Sequence, residues 1–217
     1  MKKVRKKNLY IAFFMLVAFI LWTVAVKLVD VCRVGPQGSS VGFATLNVVV
    51  HDITGVHMTL YTVTDWLSLI PLVLVLGFGI LGIIQLVKRK SLLKVDRSII
   101  ALGVFYIVIM AFFVFFELVV INYRPVRING YLEASYPSST TMLVMCVMPT
   151  AVMQFNERIK SDILKRFIAV AIGIFTVFMV VMRLFSGVHW FSDIVGGMLL
   201  SIGLVMMYKC FCAAKEK

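Results

Sequence analysis

The chain has 217 residues, of which 61% are hydrophobic, and its 22 Lys and Arg against 10 Asp and Glu give a formal net charge of +12. With a mean hydropathy of +1.00, this composition excludes a soluble globular domain and indicates an integral membrane protein. The basic residues cluster at the ends of apolar runs without aromatic residues between them, which is typical of membrane topology rather than of nucleic-acid binding. We therefore expect membrane lipids, and no nucleic acid, as partners.

Six apolar runs are long enough to cross a bilayer. No internal repeat or linker divides the chain, so residues 1–217 are predicted to form a single domain, an all-α integral membrane protein built as a six-span helical bundle. Gly196, Gly197 and Ser201 suit close helix packing within the monomer. The predicted spans are 9–26, 66–87, 99–121, 139–155, 167–182 and 190–208.

The distribution of Lys and Arg predicts the orientation of these spans. The N-terminus, the loops near residues 90 and 160 and the C-terminal tail are the basic connections, so we expect both termini on the cytoplasmic side of the plasma membrane. The first run also resembles a signal peptide, but no clear cleavage site follows it, which favours a retained span. The loops near 30–65, 122–138 and 184–190 then share the outer face.

The segment between the first two spans shows apolar residues at helical spacing. This pattern predicts an amphipathic helix on the outer membrane surface, where it could cap a site. A solvated connector with an incidental stripe is the alternative interpretation. The stripe consists of Phe43, Leu46, Val50, Ile53, His57 and Tyr61.

Three ionisable residues interrupt the apolar C-terminal region, where each charge costs a few kcal/mol unless it faces a polar cavity or another charge. His189 and Asp193 are four residues apart, so on a helix the carboxylate could accept from one imidazole nitrogen and leave the other free as a nucleophile or base. Arg183 could fold back to bring its guanidinium close to that nitrogen, a geometry suited to phosphate. A structural ion pair between Arg183 and Asp193 is the alternative.

Two further polar clusters lie on the same predicted face. One is the stretch 122–125, which contains Arg124, and the other is the stretch 136–141 before the fourth span. Ser138, Ser139 and Thr140 form a good N-cap sequence, and the N–H groups at a helix start can bind phosphate. Together with Arg183, these clusters predict one outward-facing anion site.

At these residues the sequence resembles the type-2 phosphatidic acid phosphatases, or lipid phosphate phosphatases. Their pattern has a lysine separated by six residues from Arg-Pro, then Pro-Ser-Gly-His, then Ser-Arg followed by a histidine and an aspartate. Arg183, His189 and Asp193 match the third motif, with methionine in place of its serine. Arg124 and Pro125 match the first motif, but a glutamate stands where the lysine is expected. The second motif keeps Pro-Ser but reads Ser-Thr in place of Gly-His.

This resemblance implies a metal-free and cofactor-free phosphatase that works through a phosphohistidine. His189 would attack phosphorus, Asp193 would orient and stabilise the imidazolium, and Arg124 and Arg183 would neutralise the phosphate oxygens. The resemblance also implies that Ser138 and Ser139 donate hydrogen bonds to the phosphate. In the family the histidine of the second motif protonates the leaving oxygen, and Thr140, at that position here, cannot act as a general acid near neutral pH.

The missing acid bears on the substrate. General-acid catalysis is worth about 10²–10⁴ in rate when the leaving group is poor, whereas a phosphate leaving group with a second pKa of about 6 departs with little help. We therefore expect a lipid diphosphate, such as a polyprenyl or undecaprenyl diphosphate, to be a better substrate than a lipid phosphomonoester.

Another residue could also replace the missing acid. Candidates are His51 and His57 in the outer segment and Glu117 near the end of the third span, where burial can raise a carboxyl pKa. The simpler interpretation makes the histidines surface residues and pairs Glu117 with Arg124 or Arg127.

Two other functions fit the same residues. A phosphotransferase would pass the phosphoryl group from His189 to a lipid or glycan, and it needs the same covalent intermediate. A non-catalytic lipid- or phosphate-binding protein would explain the altered second motif. It would need neither His189 nor Asp193, so their presence favours an enzyme.

Overall fold

Helices account for all regular structure in the computed structural model, which describes residues 2–212 and contains no β-strand in that range. The predicted all-α class is confirmed. Two single-turn 3-10 helices, Pro36–Gly38 and Leu92–Lys94, lie in loops. The α-helices are α1 (Lys2–Leu28), α2 (Ala44–Thr54), α3 (Met58–Leu67), α4 (Leu69–Arg89), α5 (Arg97–Leu118), α6 (Ser139–Arg158), α7 (Asp162–Phe185) and α8 (Phe191–Cys212).

Within residues 2–212, five helical segments are long and apolar enough to cross a membrane, so the chain is an integral membrane protein. They overlap the predicted first, second, third, fifth and sixth spans. The predicted fourth span is the helix α6, which does not meet the same criterion of length and composition. The five segments are Val4–Leu28, Met58–Arg89, Arg97–Leu118, Asp162–Phe185 and Phe191–Cys212.

The composition of α6 follows from its position in the bundle. It contacts α4, α5, α7 and α8, and its threonines and Gln154 are buried in the protein rather than exposed to lipid. Thr141 and Gln154 are buried, and Gln154 Nε2 donates to the hydroxyl of Tyr208 at 2.8 Å. A helix enclosed by other helices can carry polar groups that a lipid-facing helix excludes.

The outer segment forms two helices, so the prediction of one continuous amphipathic helix is wrong. Gly55 ends α2 at a φ of 67°, a conformation that a residue with a side chain rarely adopts, and its N–H donates to His51 O at 2.8 Å. Beyond this break α3 packs against α7, while α2 lies against α8. The apolar stripe is therefore divided between two packing surfaces.

Small residues let other groups approach α8, as predicted for packing inside the monomer. The ring of Tyr136 lies so close to Gly196 that an added Cβ would be 2.5 Å from it, and the carbonyl of Ser138 lies against Gly197. Ser201 Oγ donates to Met142 O at 3.5 Å. These contacts bring the loop before α6 onto the first half of α8.

Two buried asparagines hold the start of α8. Asn47 of α2 accepts from Ser192 N at 3.0 Å and donates to Ser192 Oγ at 2.9 Å. Asn122, in the loop after α5, donates to Asp193 Oδ1 at 3.3 Å. Trp22 of α1 adds a bond from Nε1 to Ser192 O at 3.0 Å. Three separate parts of the chain thus meet at the first turn of α8.

Candidate active site

The turn that carries His189 is pinned against the junction of α2 and α3. Gly187 has a φ of +69°, and an added Cβ there would lie 2.1 Å from the carbonyl oxygen of Gly55. The N–H of His57 donates to Ser186 O at 3.0 Å, and His51 Nε2 lies 3.2 Å from Gly187 O. Because both sides of the turn are held, the imidazole two residues later has a defined position.

The hydrogen bonds of His189 define its tautomer. Arg124 Nη1 lies 3.3 Å from His189 Nε2, and a guanidinium can only donate, so Nε2 carries the lone pair. The proton is then on Nδ1, which lies 3.1 Å from the carbonyl oxygen of Ser135. Burial of the ring holds the pKa of His189 well below its usual 6.5, and the positive charges of Arg124 and Arg183 lower this pKa further. The ring is therefore neutral, with the lone pair of Nε2 facing a guanidinium.

Asp193 acts on this imidazole through Ser135, so the predicted direct hydrogen bond is wrong. His189 precedes the first residue of α8, and its Nδ1 lies 3.9 Å from Asp193 Oδ2. The Ser135 hydroxyl donates to Asp193 Oδ2 and lies 3.1 Å from Nδ1. Trp190 N also donates to Oδ2, at 2.9 Å. The carboxylate remains close enough to stabilise a positive charge on the ring.

Arg124 pairs with Glu133 rather than with Glu117, which corrects the simpler prediction for Glu117. Arg124 Nε lies 3.0 Å from Glu133 Oε2, and Arg124 N donates to Glu133 O at 3.1 Å. The helix α5 ends at Leu118, so Arg124 and Glu117 do not share a helical face. Glu133 therefore holds the guanidinium that contacts His189.

Arg183 is buried, with 2% of its surface exposed, and is held by α3. Its Nη1 donates to Thr64 Oγ1 at 3.2 Å, and its guanidinium carbon lies 4.8 Å from the centre of the Tyr61 ring, a cation–π geometry. Arg124 occupies the position beside His189 Nε2 that was predicted for Arg183. The alternative ion pair between Arg183 and Asp193 is not formed either, because Asp193 accepts hydrogen bonds from Ser135 and Trp190. Within residues 2–212, Arg183 Nε has no hydrogen-bond partner. One edge of this guanidinium is thus fixed and another carries an unused donor.

The predicted N-cap at the start of α6 is confirmed. Ser138 Oγ accepts from Thr141 N at 3.5 Å and from Thr141 Oγ1 at 3.0 Å. The Ser138 N–H, however, donates to Asp193 O at 3.0 Å, so it is already used and does not face an anion as expected. Thr140 is buried. Ser139 lines the same pocket as His189.

That pocket lies between the end of α5 and the start of α6. Its volume of about 10 Å³ is room for roughly one water molecule. Glu117 lines it together with His189, Ser135 and Ser139, and aromatic residues of α5 complete the wall. Glu117 is exposed, which corrects the expectation that it is buried. The histidines of the outer segment bond elsewhere: His51 lies on the Gly187 carbonyl, and Nε2 of the exposed His57 lies 3.0 Å from Thr54 O.

Four residues that complete the site were missed by sequence reasoning: Ser135, Asn122, Thr64 and Tyr61. Asn122 and Ser135 stand within or beside the polar clusters that were recognised, so their position next to Arg124 and Tyr136 was an available signal. Thr64 and Tyr61 are ordinary residues of an amphipathic stretch, and nothing local distinguishes them.

Comparisons with known proteins identify the fold and the family of the chain. The chain has the fold of a transmembrane PAP2-type phosphatidylglycerolphosphate phosphatase from Bacillus subtilis, with a TM-score of 0.65 at 16% identity, over 96% of this chain and 98% of that one. Comparison with curated protein sequences gives no match. The family model of the PAP2 superfamily matches residues 100–216, more than half of the chain and the part that holds Arg124, Arg183, His189 and Asp193. The chain belongs to the PAP2 superfamily.

Proposed function

We propose that this protein is a membrane lipid phosphatase in which His189 Nε2 is the nucleophile. Membership of the PAP2 superfamily supports phosphatase activity toward a lipid phosphate. The contact of 3.3 Å between Arg124 Nη1 and His189 Nε2 carries the proposal, because it puts a cation at the nitrogen lone pair. An arginine in that position attracts a phosphoryl group to the atom that attacks it.

The reaction proceeds in two steps. Nε2 attacks phosphorus, the bond from phosphorus to the leaving oxygen breaks, and the electron pair departs with that oxygen. The Nδ1–H of the imidazole continues to donate to the Ser135 carbonyl, and the phosphorylated ring becomes cationic. Asp193, whose Oδ2 lies 3.9 Å from Nδ1, stabilises that charge. Water then attacks the phosphohistidine, which releases inorganic phosphate and regenerates neutral His189.

Both arginines donate hydrogen bonds to the phosphate in this proposal. Arg124 supplies donors beside Nε2, and Arg183 has an unpaired Nε in the described part of the chain. Since Ser138 is occupied as a cap, Ser139 is the residue of the 138–140 stretch that we assign to the phosphate, on the strength of its place in the His189 pocket.

For the slower hydrolysis of phosphomonoesters, we assign the role of replacement acid to Glu117, ahead of His51 and His57. Glu117 lines the His189 pocket, whereas both histidines lie on backbone carbonyls of the outer loops. A Glu117→Gln variant should lose about 10²-fold or more in turnover of a phosphomonoester, whose leaving alkoxide needs a proton. Its turnover of a diphosphate should change little. Equal losses on both substrates would argue for a structural role.

A lipid diphosphate, with a polyprenyl diphosphate as the first choice, is the proposed preferred substrate. Thr140 in place of a histidine supports this choice, because a phosphate leaving group departs with little proton transfer. The Bacillus subtilis protein is named for a lipid phosphomonoester, phosphatidylglycerolphosphate. That compound is the natural competitor in the assay.

Phosphate release by purified protein from polyprenyl diphosphate and from phosphatidylglycerolphosphate tests the proposal. The diphosphate should be hydrolysed faster, and a labelled terminal phosphoryl group should be trapped on wild-type protein. His189→Ala should abolish both signals, while His57→Ala, which removes an exposed imidazole that lies on Thr54 O, should retain the trapped label. A clear preference for the monoester contradicts the substrate assignment, and turnover that survives His189→Ala contradicts the mechanism.

We further propose six crossings of the plasma membrane, with α6 as the fourth. Its 20 residues correspond to about 30 Å, the thickness of the hydrocarbon core. With six crossings both termini lie in the cytoplasm and the His189 site faces outward, in agreement with the basic loops.

A further inference from the structure

A second cavity lies at the end of the bundle opposite His189. It is a groove of about 860 Å³ between α5, α6 and α8, where α5 begins and where α6 and α8 end. Its volume is within the range of about 300–1,000 Å³ that is typical of ligand sites. It shares no lining residue with the His189 pocket.

The groove is polar at one end and apolar along its length. Ala101, Val104 and Val108 of α5 and Leu204 of α8 line the inner part. From Arg97 to Val108 the wall extends for about 16 Å along the helix axis. A slot of this shape matches an acyl chain that runs inward from a polar headgroup at the membrane surface.

The charge at the polar end is positive. Arg97 and Lys209 both line the mouth, and among residues 2–212 no carboxylate oxygen lies within 4.0 Å of either side-chain cation. Glu157, the acidic residue of the lining, lies 3.6 Å from Arg158 Nη1, so its charge is balanced within the protein. Asp96, next to Arg97, is paired with Arg89 at 2.8 Å.

We propose that this groove binds one anionic phospholipid, with the phosphate between Arg97 and Lys209 and an acyl chain along α5. Basic pockets between membrane helices on the cytoplasmic side are suited to anionic headgroups, and each nearby Lys or Arg strengthens such binding about fivefold. The site is separate from the proposed catalytic centre, so it does not depend on the phosphatase proposal.

Native mass spectrometry of the full chain, with phosphatidylglycerol and phosphatidylcholine as probes, tests the headgroup contact. One phosphatidylglycerol should remain bound in preference to phosphatidylcholine, and the double variant Arg97→Gln/Lys209→Gln should weaken it by roughly 25-fold. The matched control Lys88→Gln/Lys90→Gln removes two exposed basic residues at the same end of the bundle, outside the groove, and should retain binding.

A second pair of variants tests the acyl-chain contact. Val104→Trp fills the groove and should displace the lipid, whereas Val114→Trp, an exposed position of α5 outside it, should not. Equal retention of phosphatidylglycerol and phosphatidylcholine would overturn the proposal. An equal loss of phosphatidylglycerol binding in Arg97→Gln/Lys209→Gln and in the control Lys88→Gln/Lys90→Gln would overturn it too. So would a dimer of the chain that forms without lipid and is abolished by Val104→Trp, since a second copy would then occupy the groove.

Discussion

Arg124 and His189 approach each other to 3.3 Å between Nη1 and Nε2, although 65 positions separate them in the sequence. This contact assigns the lone pair of the imidazole to Nε2, since arginine donates and does not accept. In the proposed mechanism it also marks the place where a phosphoryl group enters, between the guanidinium and the nitrogen. Glu133 holds the other side of Arg124 and thereby defines the direction of approach.

Ser135→Ala should lower kcat about 10- to 100-fold, because the hydroxyl that joins Asp193 to His189 Nδ1 is lost and a buried carboxylate loses a donor. The Ser135 carbonyl remains, so His189 should keep its tautomer and the protein should still fold. Steady-state kinetics with the lipid diphosphate measures the effect. Ser68→Ala, which removes a half-buried serine at the start of α4 whose hydroxyl donates to Asp65 O, is the control. A wild-type kcat in Ser135→Ala would remove the Ser135 hydroxyl from the mechanism.

Thr64→Val should weaken phosphate binding about 10- to 100-fold, because it removes the acceptor that holds Arg183 Nη1. The effect should be seen as a higher KM and as weaker inhibition by inorganic phosphate. Thr62→Val is a matched control, since Thr62 lies on the same helix, is exposed and bonds only to its own turn through Met58 O. If both variants raise KM equally, the change reflects α3 stability and not the position of Arg183.

Acidification should destabilise the protein through His189. Since its pKa is depressed in the folded state, the unfolded chain takes up a proton below pH 6.5 that the folded chain does not, and stability falls. Lowering the pH from 7.5 to 5.5 should cost about 1.4 kcal/mol from this residue. Thermal unfolding of wild type and His189→Gln at both values measures the difference. The variant should lose less, and identical losses would contradict a neutral buried imidazole.

Gly187→Ala should be strongly destabilising and nearly inactive. The substitution combines a positive φ with a Cβ placed 2.1 Å from Gly55 O, so the turn that carries His189 must separate from the junction of α2 and α3. Gly130→Ala shares the positive φ, at +85°, but its Cβ would meet nothing within 4 Å. That control should lose only about 1–2 kcal/mol. Thermal unfolding and phosphate release, measured on both variants, separate the effect of the clash with Gly55 from the effect of the positive φ. Similar losses of stability and activity in both variants would show that the clash contributes little.

Cys32 should react with a membrane-impermeant maleimide applied to intact cells. Its thiol is exposed in the loop after α1, on the face proposed to be external. Cys32→Ser should abolish the labelling, because Cys146 and Cys210 are buried and the half-buried Cys212 lies at the opposite end of the bundle, where α8 ends. Labelling that requires permeabilised cells would reverse the proposed orientation of the bundle.

Local features could be predicted from the sequence because local physics determines them. The apolar runs predicted the five long segments, and the Pro-Ser-Ser-Thr stretch predicted the cap on α6 at Ser138. Arg183, His189 and Asp193 were recognised because ionisable residues are costly in an apolar setting, and Arg124 was recognised because it lies in a polar cluster on the same predicted face. The resemblance of these residues to a known motif agreed with the family match.

The hydrogen-bond partners of the site residues could not be predicted from the sequence, because the packing of the helices decides them. Thr64 holds Arg183 across 119 positions, and Ser135 bonds to His189 across 54, so no spacing within one helix predicts either pair. The expected bond between His189 and Asp193 assumed one continuous helix, and α8 begins two residues after His189. Sequence therefore determined which side chains are costly to bury. The tertiary structure determined which groups satisfy them, because hydrogen bonds depend on distances that form only when α3, α6 and α8 pack together.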